Sequence, residues 1–193
     1  MPWTRSARRW SDEASHSEVQ HFIDDQRRAV VVGLDVAANG KKRQRLYAIR
    51  KSAIHGRGVF ATAKINRGTT ILEYKGRRSS WEEALKRADS DPNDPSHTFL
   101  FELHDRTVID AGAGGNAARW VNHSCDPNCE AYEDDAGLIF IRARRRIRPG
   151  EELTYDYCLT IPGKLSKREL ARYACRCLAI TCRGSLLARK KRC

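Results

Sequence analysis

The segment that most constrains this chain is residues 119–129, Arg-Trp-Val-Asn-His-Ser-Cys-Asp-Pro-Asn-Cys. It holds two amides, an imidazole, a hydroxyl and two thiols, and a proline interrupts it. Buried polar groups need hydrogen-bond partners, so an ordinary core segment is not built this way. We therefore expect partners from elsewhere in the chain. The C-terminal part offers them in residues 152–157 and in Cys175, Cys177 and Cys182.

Length and composition predict one medium-sized domain with tails, because the chain has 193 residues, of which 40% are hydrophobic and 31% charged. The sequence contains no apolar run near the length of about 18 residues that a membrane span needs. It also has no recognisable secretory signal. We therefore expect no membrane association and a reducing intracellular compartment, either cytoplasm or nucleus. There, the seven cysteines are expected to be thiols or metal ligands rather than disulfides.

The net charge of +12 predicts attraction to an acidic partner such as nucleic acid, a membrane surface or an acidic protein face. A solvated basic surface that only aids solubility is the alternative.

Secondary-structure signals divide the chain at about residue 45. Residues 1–44 are polar and basic, and we expect a flexible extension there. Beyond it, short β-rich segments with glycine-bearing turns predict a mostly antiparallel β domain. The predicted strands are 46–50, 54–61, 69–74, 98–103, 107–110, 138–143 and 152–157. Two short helices are predicted, one over 80–88 with Ser79 or Ser80 as its cap, and one over 164–174.

Three cysteines lie within eight positions near the C-terminus: Cys175, Cys177 and Cys182. Zinc prefers four thiolate or imidazole ligands, so one position is left for Cys125 or Cys129. Such a site would fasten the tail over Asn122 and His123 and would supply the tail's folding free energy. Unpaired or oxidised cysteines in a flexible tail are the alternative. Cys158 is expected to pack beside a strand, and Cys193 to be free.

Five motifs, taken in order, resemble the SET-domain protein-lysine methyltransferases with a post-SET zinc-binding tail. The resemblance covers about residues 45–184, and the ordered set is far more specific than any one motif. The motifs are His-Gly-Arg-Gly at 55–58, Glu-Tyr-x-Gly at 73–76, Gly-Asn-x-x-Arg-x-x-Asn-His-Ser-Cys-x-Pro-Asn at 115–128, Gly-Glu-Glu-Leu-Thr-Tyr-Asp-Tyr at 150–157 and Cys-x-Cys-x4-Cys-Arg-Gly at 175–184.

The resemblance implies a mostly β fold, the β-clip SET fold, with several small curved antiparallel sheets and short inserted helices. It also implies a C-terminal pseudoknot, in which late chain passes through a loop of earlier chain. The implied organisation is an extension at 1–44, a SET domain at 45–160 and a post-SET segment with a basic tail at 161–193. The helix over 80–88 corresponds to the insert that lines the substrate groove.

The implied reaction transfers a methyl group from S-adenosylmethionine to a lysine amine in a protein, with a histone or histone-like tail expected. By resemblance Tyr157 is the catalytic tyrosine, and Tyr74 and Tyr155 are walls of the lysine channel. A phenol at Tyr155 can hold a water beside the amine, which favours mono- or dimethyl-lysine as product.

The resemblance also implies two binding sites. Phe99 stands where many members carry tyrosine, and Trp120 replaces the usual phenylalanine. The implied cofactor residues are Gly56, Arg57, Gly58, Phe99, Arg119, Asn122 and His123. The implied zinc ligands are Cys125, Cys175, Cys177 and Cys182, which leaves Cys129 as a spare thiol.

Two other functions remain open. One is a SET-like module that binds cofactor or peptide without catalysis, although the presence of Tyr157 and Asn122 argues against it. The other is a basic zinc-dependent nucleic-acid-binding protein that uses residues 144–146 and 188–193. Aromatic residues for base stacking are sparse in those runs. Non-specific nucleic-acid contact could also accompany the enzymatic function.

Overall fold

The computed structural model describes residues 45–87, 99–161 and 163–188. The predicted extension at 1–44, the predicted start of a strand at residue 98, and Cys193 lie outside the described residues. Within those ranges, neither α-helix is long and apolar enough to cross a bilayer.

Ten short strands and few helices make up the described chain, so the mostly β prediction is confirmed. The strands are β1 Tyr47–Lys51, β2 Arg57–Ala61, β3 Thr70–Glu73, β4 Arg77–Ser79, β5 Leu100–Glu102, β6 Val108–Asp110, β7 Asn122–His123, β8 Cys129–Glu133, β9 Ile139–Ala143 and β10 Glu152–Tyr155. The helices are α1 Trp81–Arg87, a 3-10 helix Ala117–Trp120 and α2 Lys167–Ala171.

The strands form three small sheets, in the orders β1-β2-β10-β7, β3-β9-β8 and β4-β6-β5. In β9 every second side chain is buried, as expected for a strand with one face on the core. Ile139, Ile141 and Ala143 are buried between partly exposed neighbours. These side chains join the main hydrophobic core with Val59 and Leu153. Side chains from different sheets therefore meet in one hydrophobic core.

Both predicted helices exist, with shorter bounds. Ser80 caps α1, since its Oγ accepts from Glu83 N–H at 3.3 Å. The helix predicted over 164–174 is confined to α2, because Ser166 and Glu169 form a capping box that sets its start. Strands β4, β7 and β8 were not predicted.

The missed strands lack an alternating pattern. In β4 no residue is buried, and β7 is only two residues long. Strands β4 and β7 are held by backbone pairing with the distant strands β6 and β10, which a local pattern does not reveal. Strand β8 instead pairs with the next strand, β9, in a hairpin.

Strand β10 lies between earlier segments of the chain. It pairs antiparallel with β2 and parallel with β7, with Thr154 opposite Asn122 and Tyr155 opposite His123. The Asn128 amide donates to the Glu152 carbonyl at 2.8 Å and accepts from Thr154 N–H at 2.9 Å. The loop after β7 thus holds β10 in place, the arrangement that the predicted pseudoknot requires.

Candidate active site and metal centre

Three predicted site tyrosines lie close together. The ring centroids of Tyr155 and Tyr157 are 4.9 Å apart. Phe101 connects them to the third ring, with its centroid 6.5 Å from that of Tyr155 and 5.4 Å from that of Tyr74. Tyr74 and Tyr155 are each only 1% exposed. Strands β3 and β10 therefore bring aromatic walls from two distant motifs to one place.

Backbone carbonyls orient two of the phenols. The Tyr157 hydroxyl donates to the Val121 carbonyl at 2.9 Å, and the Tyr74 hydroxyl donates to the Phe99 carbonyl at 3.0 Å. The Tyr157 N–H donates to His123 Nδ1 at 3.1 Å. Tyr157 is thus fixed at both its amide and its hydroxyl.

The loop before β2 is fastened to β7 by one amide. Asn122 Nδ2 lies 2.9 Å from the Arg57 carbonyl, 3.2 Å from the His55 carbonyl and 2.7 Å from Glu152 Oε1. Its two hydrogens therefore serve three acceptors. This contact brings together the first and third sequence motifs, which contribute most of the predicted cofactor residues.

Two glycines shape that loop for different reasons. Gly56 has φ +43°, a left-handed conformation that favours glycine. At Gly58 an added Cβ would collide with the Glu152 carboxylate, so the backbone can approach closely only without a side chain. A simple turn accounts for Gly56, whereas Gly58 is required by the packing beneath it.

An aromatic and guanidinium cluster lies beside this loop. The Arg119 guanidinium is 4.7 Å from the Trp120 ring centroid and 5.6 Å from that of Phe99. The Arg57 guanidinium is 5.3 Å from the Trp120 ring, and Phe99 and Trp120 meet edge to face at 5.2 Å. Arg119 Nε is buried without a hydrogen-bond partner among the described atoms. A buried donor left without a partner fits a site that is completed by an anionic ligand group.

The sulfur atoms of the tail cysteines lie at distances from Cys125 Sγ that suit shared zinc ligation. Cys125 Sγ lies 3.7 Å from Cys175 Sγ and 3.8 Å from Cys182 Sγ. Tetrahedral zinc with bonds of about 2.3 Å separates its sulfur ligands by about 3.8 Å. Burial disfavours ionisation of Cys177, but N–H groups of Cys125 and Ala179 lower its pKa to about 6, whereas burial raises the pKa of Cys125 and Cys175. A thiolate is the form that zinc binds.

His123 also lies within this cluster. Its ligand atom and those of Cys125, Cys175 and Cys177 are all within 4.8 Å of one another. However, His123 Nδ1 accepts from Tyr157 N–H, so the neutral ring carries its proton on Nε2, which is 3.3 Å from Cys125 Sγ. We therefore consider His123 a hydrogen-bond donor to the Cys125 sulfur and not a metal ligand. Cys182 is then the better candidate for the fourth zinc ligand.

The other described cysteines lie outside the cluster. Cys129 is fully buried in the core, and burial raises its pKa to about 12. Cys158 is buried as expected but is disulfide-bonded, so the prediction of thiols or metal ligands throughout is wrong for this residue.

The SET domain family matches residues 56–158, which is more than half of the chain. The chain belongs to the SET-domain family. The matched range ends before the tail cysteines, and it contains all three site tyrosines and the 115–128 motif.

Curated relatives agree with this membership. The chain is 37% identical over 149 residues to human "Histone-lysine N-methyltransferase 2B", covering 76% of this chain and 5% of the human protein. It is similar to the "Histone-lysine N-methyltransferase, H3 lysine-4 specific" of Neurospora crassa, with 36% identity over 173 residues, 85% of this chain and 13% of that protein. The Saccharomyces cerevisiae protein of the same name is 34% identical over 181 residues, 91% of this chain and 16% of that protein. The chain thus spans less than a fifth of the length of these relatives.

Sequence reasoning missed two residues of this SET domain, Ser52 and Glu152, that hold the loop at 55–58. The Glu152 carboxylate accepts from Ser52 Oγ at 2.8 Å as well as from Asn122 Nδ2. Ser52 Oγ in turn accepts from Ile54 N–H at 2.9 Å. Glu152 belongs to the motif at 150–157, and the resemblance implies no role for it. The available signal was a carboxylate at the start of a strand whose other residues are buried.

Proposed function

We propose that this SET domain transfers a methyl group from S-adenosylmethionine to a lysine side-chain amine in a protein. A histone or histone-like tail is the favoured substrate class. The observation that carries the proposal is the convergence of Tyr74, Tyr155 and Tyr157 next to the loop that Asn122 fastens. The relatives named as histone-lysine N-methyltransferases support the same reaction and substrate class.

The residues around the loop at 55–58 would hold the cofactor. S-adenosylmethionine supplies a methyl group activated by a positively charged sulfur. The unpartnered Arg119 Nε and the Arg57 guanidinium offer donors for its carboxylate. Phe99 and Trp120 offer apolar surface, and Asn122 and the backbone of His123 complete the site.

The lysine must reach the methyl group as a neutral amine. Removing its proton at pH 7 costs about 4 to 5 kcal/mol, since a free lysine has a pKa of about 10.4. Burial between Tyr74 and Tyr155 would lower that pKa, because desolvation disfavours the charged form. The Tyr157 oxygen, whose proton is donated to Val121, can accept an N–H and orient the amine.

The product is proposed to be mono- or dimethyl-lysine. Tyr155 carries a phenol next to Tyr157, and a water held by that hydroxyl would occupy the space that additional methyl groups need.

Zinc is proposed to have a structural role. Cys125, Cys175, Cys177 and Cys182 would hold the ion, with His123 donating to the Cys125 sulfur. Four protein ligands close the coordination sphere, so the ion would fasten the tail without taking part in the transfer.

We also propose non-specific contact with nucleic acid as an accessory property. Two turns are joined by paired backbone bonds between the buried residues Ile65 and Ile147, at 2.9 and 3.0 Å. The turns present six exposed cations: Lys64, Arg67, Arg144, Arg145, Arg146 and Arg148. Within the described part of the chain, only Arg145 of these six is ion-paired, to Glu151 at 2.8 Å. A fixed group of unpaired cations favours phosphate contact.

Labelled methyl transfer to histones, histone peptides and cell lysate tests the main proposal. Wild-type protein with bound zinc should label a lysine, and Tyr157→Phe should label it at least about 100-fold more slowly because the amine loses its positioning group. If zinc-loaded wild type binds cofactor but labels none of these substrates, the catalytic proposal fails and the binding-module alternative gains support.

A further inference from the structure

A tail residue contacts the segment 155–157, which begins at the last residue of β10 and carries two of the site tyrosines. Arg183, the residue after Cys182, donates from Nη1 to Asp156 Oδ2 and from Nη2 to Asp156 Oδ1, both at 2.6 Å. Asp156 lies between Tyr155 and Tyr157 in the sequence. The Arg183 and Asp156 side chains are only 10% and 13% exposed. The geometry is a bidentate, charge-assisted pair, the strongest common type of side-chain hydrogen bonding.

Both partners of this pair are held by further contacts. Arg183 Nε donates to the Leu187 carbonyl at 3.0 Å, and Nη2 also lies 3.4 Å from the Leu186 carbonyl. Asp156 Oδ1 accepts from Cys158 N–H at 3.1 Å. Loss of either charged group would leave the other nearly buried and uncompensated, which costs far more than an exposed ion pair.

The same tail segment pairs with the chain just after Tyr157. Leu159 N–H donates to the Leu186 carbonyl at 3.2 Å, and Ala188 N–H donates to the Leu159 carbonyl at 2.9 Å. The four side-chain hydrogen bonds of Arg183 go to Asp156 and to tail carbonyls. The tail therefore contacts residues 156–159 through bonds that are chemically different from those of the thiol cluster.

We propose that Arg183 is a positioning residue for Tyr157. In addition to zinc ligation, its ion pair with Asp156 forms a second clasp, which holds the tail against residues 155–157. This inference rests on the proposed methyltransferase function for its kinetic readout. The clasp fixes the backbone on which Tyr157 is mounted, so its loss slows methyl transfer more than it weakens cofactor binding.

The test compares Arg183→Gln, Arg183→Lys, Asp156→Asn and the double variant Arg183→Gln/Asp156→Asn. Arg172→Gln is the matched control, because Arg172 is an exposed arginine of the same tail. Each protein is measured for zinc per chain, S-adenosylmethionine Kd, kcat and KM with a histone peptide, and amide hydrogen exchange of residues 152–160.

We expect Arg183→Gln and Asp156→Asn to keep their zinc and to bind cofactor with nearly wild-type Kd. Their kcat should fall at least about tenfold, and exchange over 152–160 should be faster. The double variant should lose no more than the worse single variant, because both changes remove one interaction. Arg183→Lys should recover part of kcat, and Arg172→Gln should match wild type.

Wild-type kcat and exchange in Arg183→Gln would overturn the inference. Loss of zinc together with activity would also overturn it, since the tail would then act through the metal alone. An increase in cofactor Kd at unchanged kcat excludes a positioning role. If wild type transfers no methyl group, the proposed function fails, whereas the exchange measurement still decides whether the clasp exists.

Discussion

Tyr155 is buried against Tyr157, and its hydroxyl is proposed to control the space around the acceptor amine. Tyr155→Phe removes that hydroxyl and the water it would hold, so we expect the product to shift from mono- and dimethyl-lysine toward trimethyl-lysine. Mass spectrometry of a methylated histone peptide over time measures the shift. Tyr132→Phe is a suitable control, because Tyr132 is an aromatic residue of β8 that packs on Phe140. An unchanged product distribution in Tyr155→Phe would contradict the proposed role.

Glu152 joins Ser52 to Asn122 beneath the loop at 55–58. Glu152→Ala leaves the Ser52 hydroxyl without its acceptor and removes one of the three acceptors around Asn122 Nδ2. An unsatisfied buried group costs about 1 to 3 kcal/mol. We expect S-adenosylmethionine affinity to fall about tenfold in calorimetric titration, because every 1.4 kcal/mol is tenfold. Glu151→Ala is the control, since the adjacent Glu151 carboxylate bonds to Arg145 and to Arg148 N–H instead. Equal affinity in the two variants would show that Glu152 has no special part in holding the loop.

At the scale of elements, the tail depends on distant anchors. Its helix α2 has five residues and buries none of them. So short a helix is marginal by itself, and metal ligation would supply the missing free energy.

Zinc removal tests that dependence. A strong chelator should make residues 163–188 sensitive to trypsin and should reduce methyl transfer, while the core built on β9 and β10 stays resistant. Cys175→Ser should lose zinc in the same way. Cys129→Ala should keep it, because Cys129 lies in the core outside the thiol cluster. Metal analysis of the purified variants and limited proteolysis measure the outcome, and a full zinc complement in Cys175→Ser would refute the ligand set.

At the scale of the whole molecule, part of the net charge of +12 lies on the two turns joined by Ile65 and Ile147. Changing Lys64, Arg67, Arg144 and Arg146 to Gln should weaken duplex DNA binding and lower its dependence on salt, because fewer counterions are released. Methylation of a free peptide should be unchanged, since these residues lie outside the tyrosine site.

A charge-matched control separates this surface from net charge. Four exposed cations of the tail serve for it: Lys164, Lys167, Arg168 and Arg172. Changing them to Gln removes the same formal charge. Equal loss of DNA binding in the two quadruple variants would show that the turns have no particular role.

Local sequence patterns were sufficient for much of this architecture. Alternation in β9 and the hairpin of β5 and β6 follow from side-chain period and turn residues. The spacing of Cys175, Cys177 and Cys182 predicted a shared cluster because three thiols that close in sequence can face one centre. The motif set indicated the family and with it the three tyrosines, which the structure brings together.

Contacts between distant segments were decided only by the tertiary structure. Ser52 and Glu152 are 100 positions apart, and Asp156 and Arg183 are 27 apart, so no local period relates them. Spacing alone left Cys125 and Cys129 as equal candidates for the fourth zinc ligand. In the folded chain Cys129 is buried in the core, and Cys125 lies among the tail thiols. The physical reason is that a polar group's role depends on which partner remains available once apolar surface is buried, and the fold as a whole determines that partner.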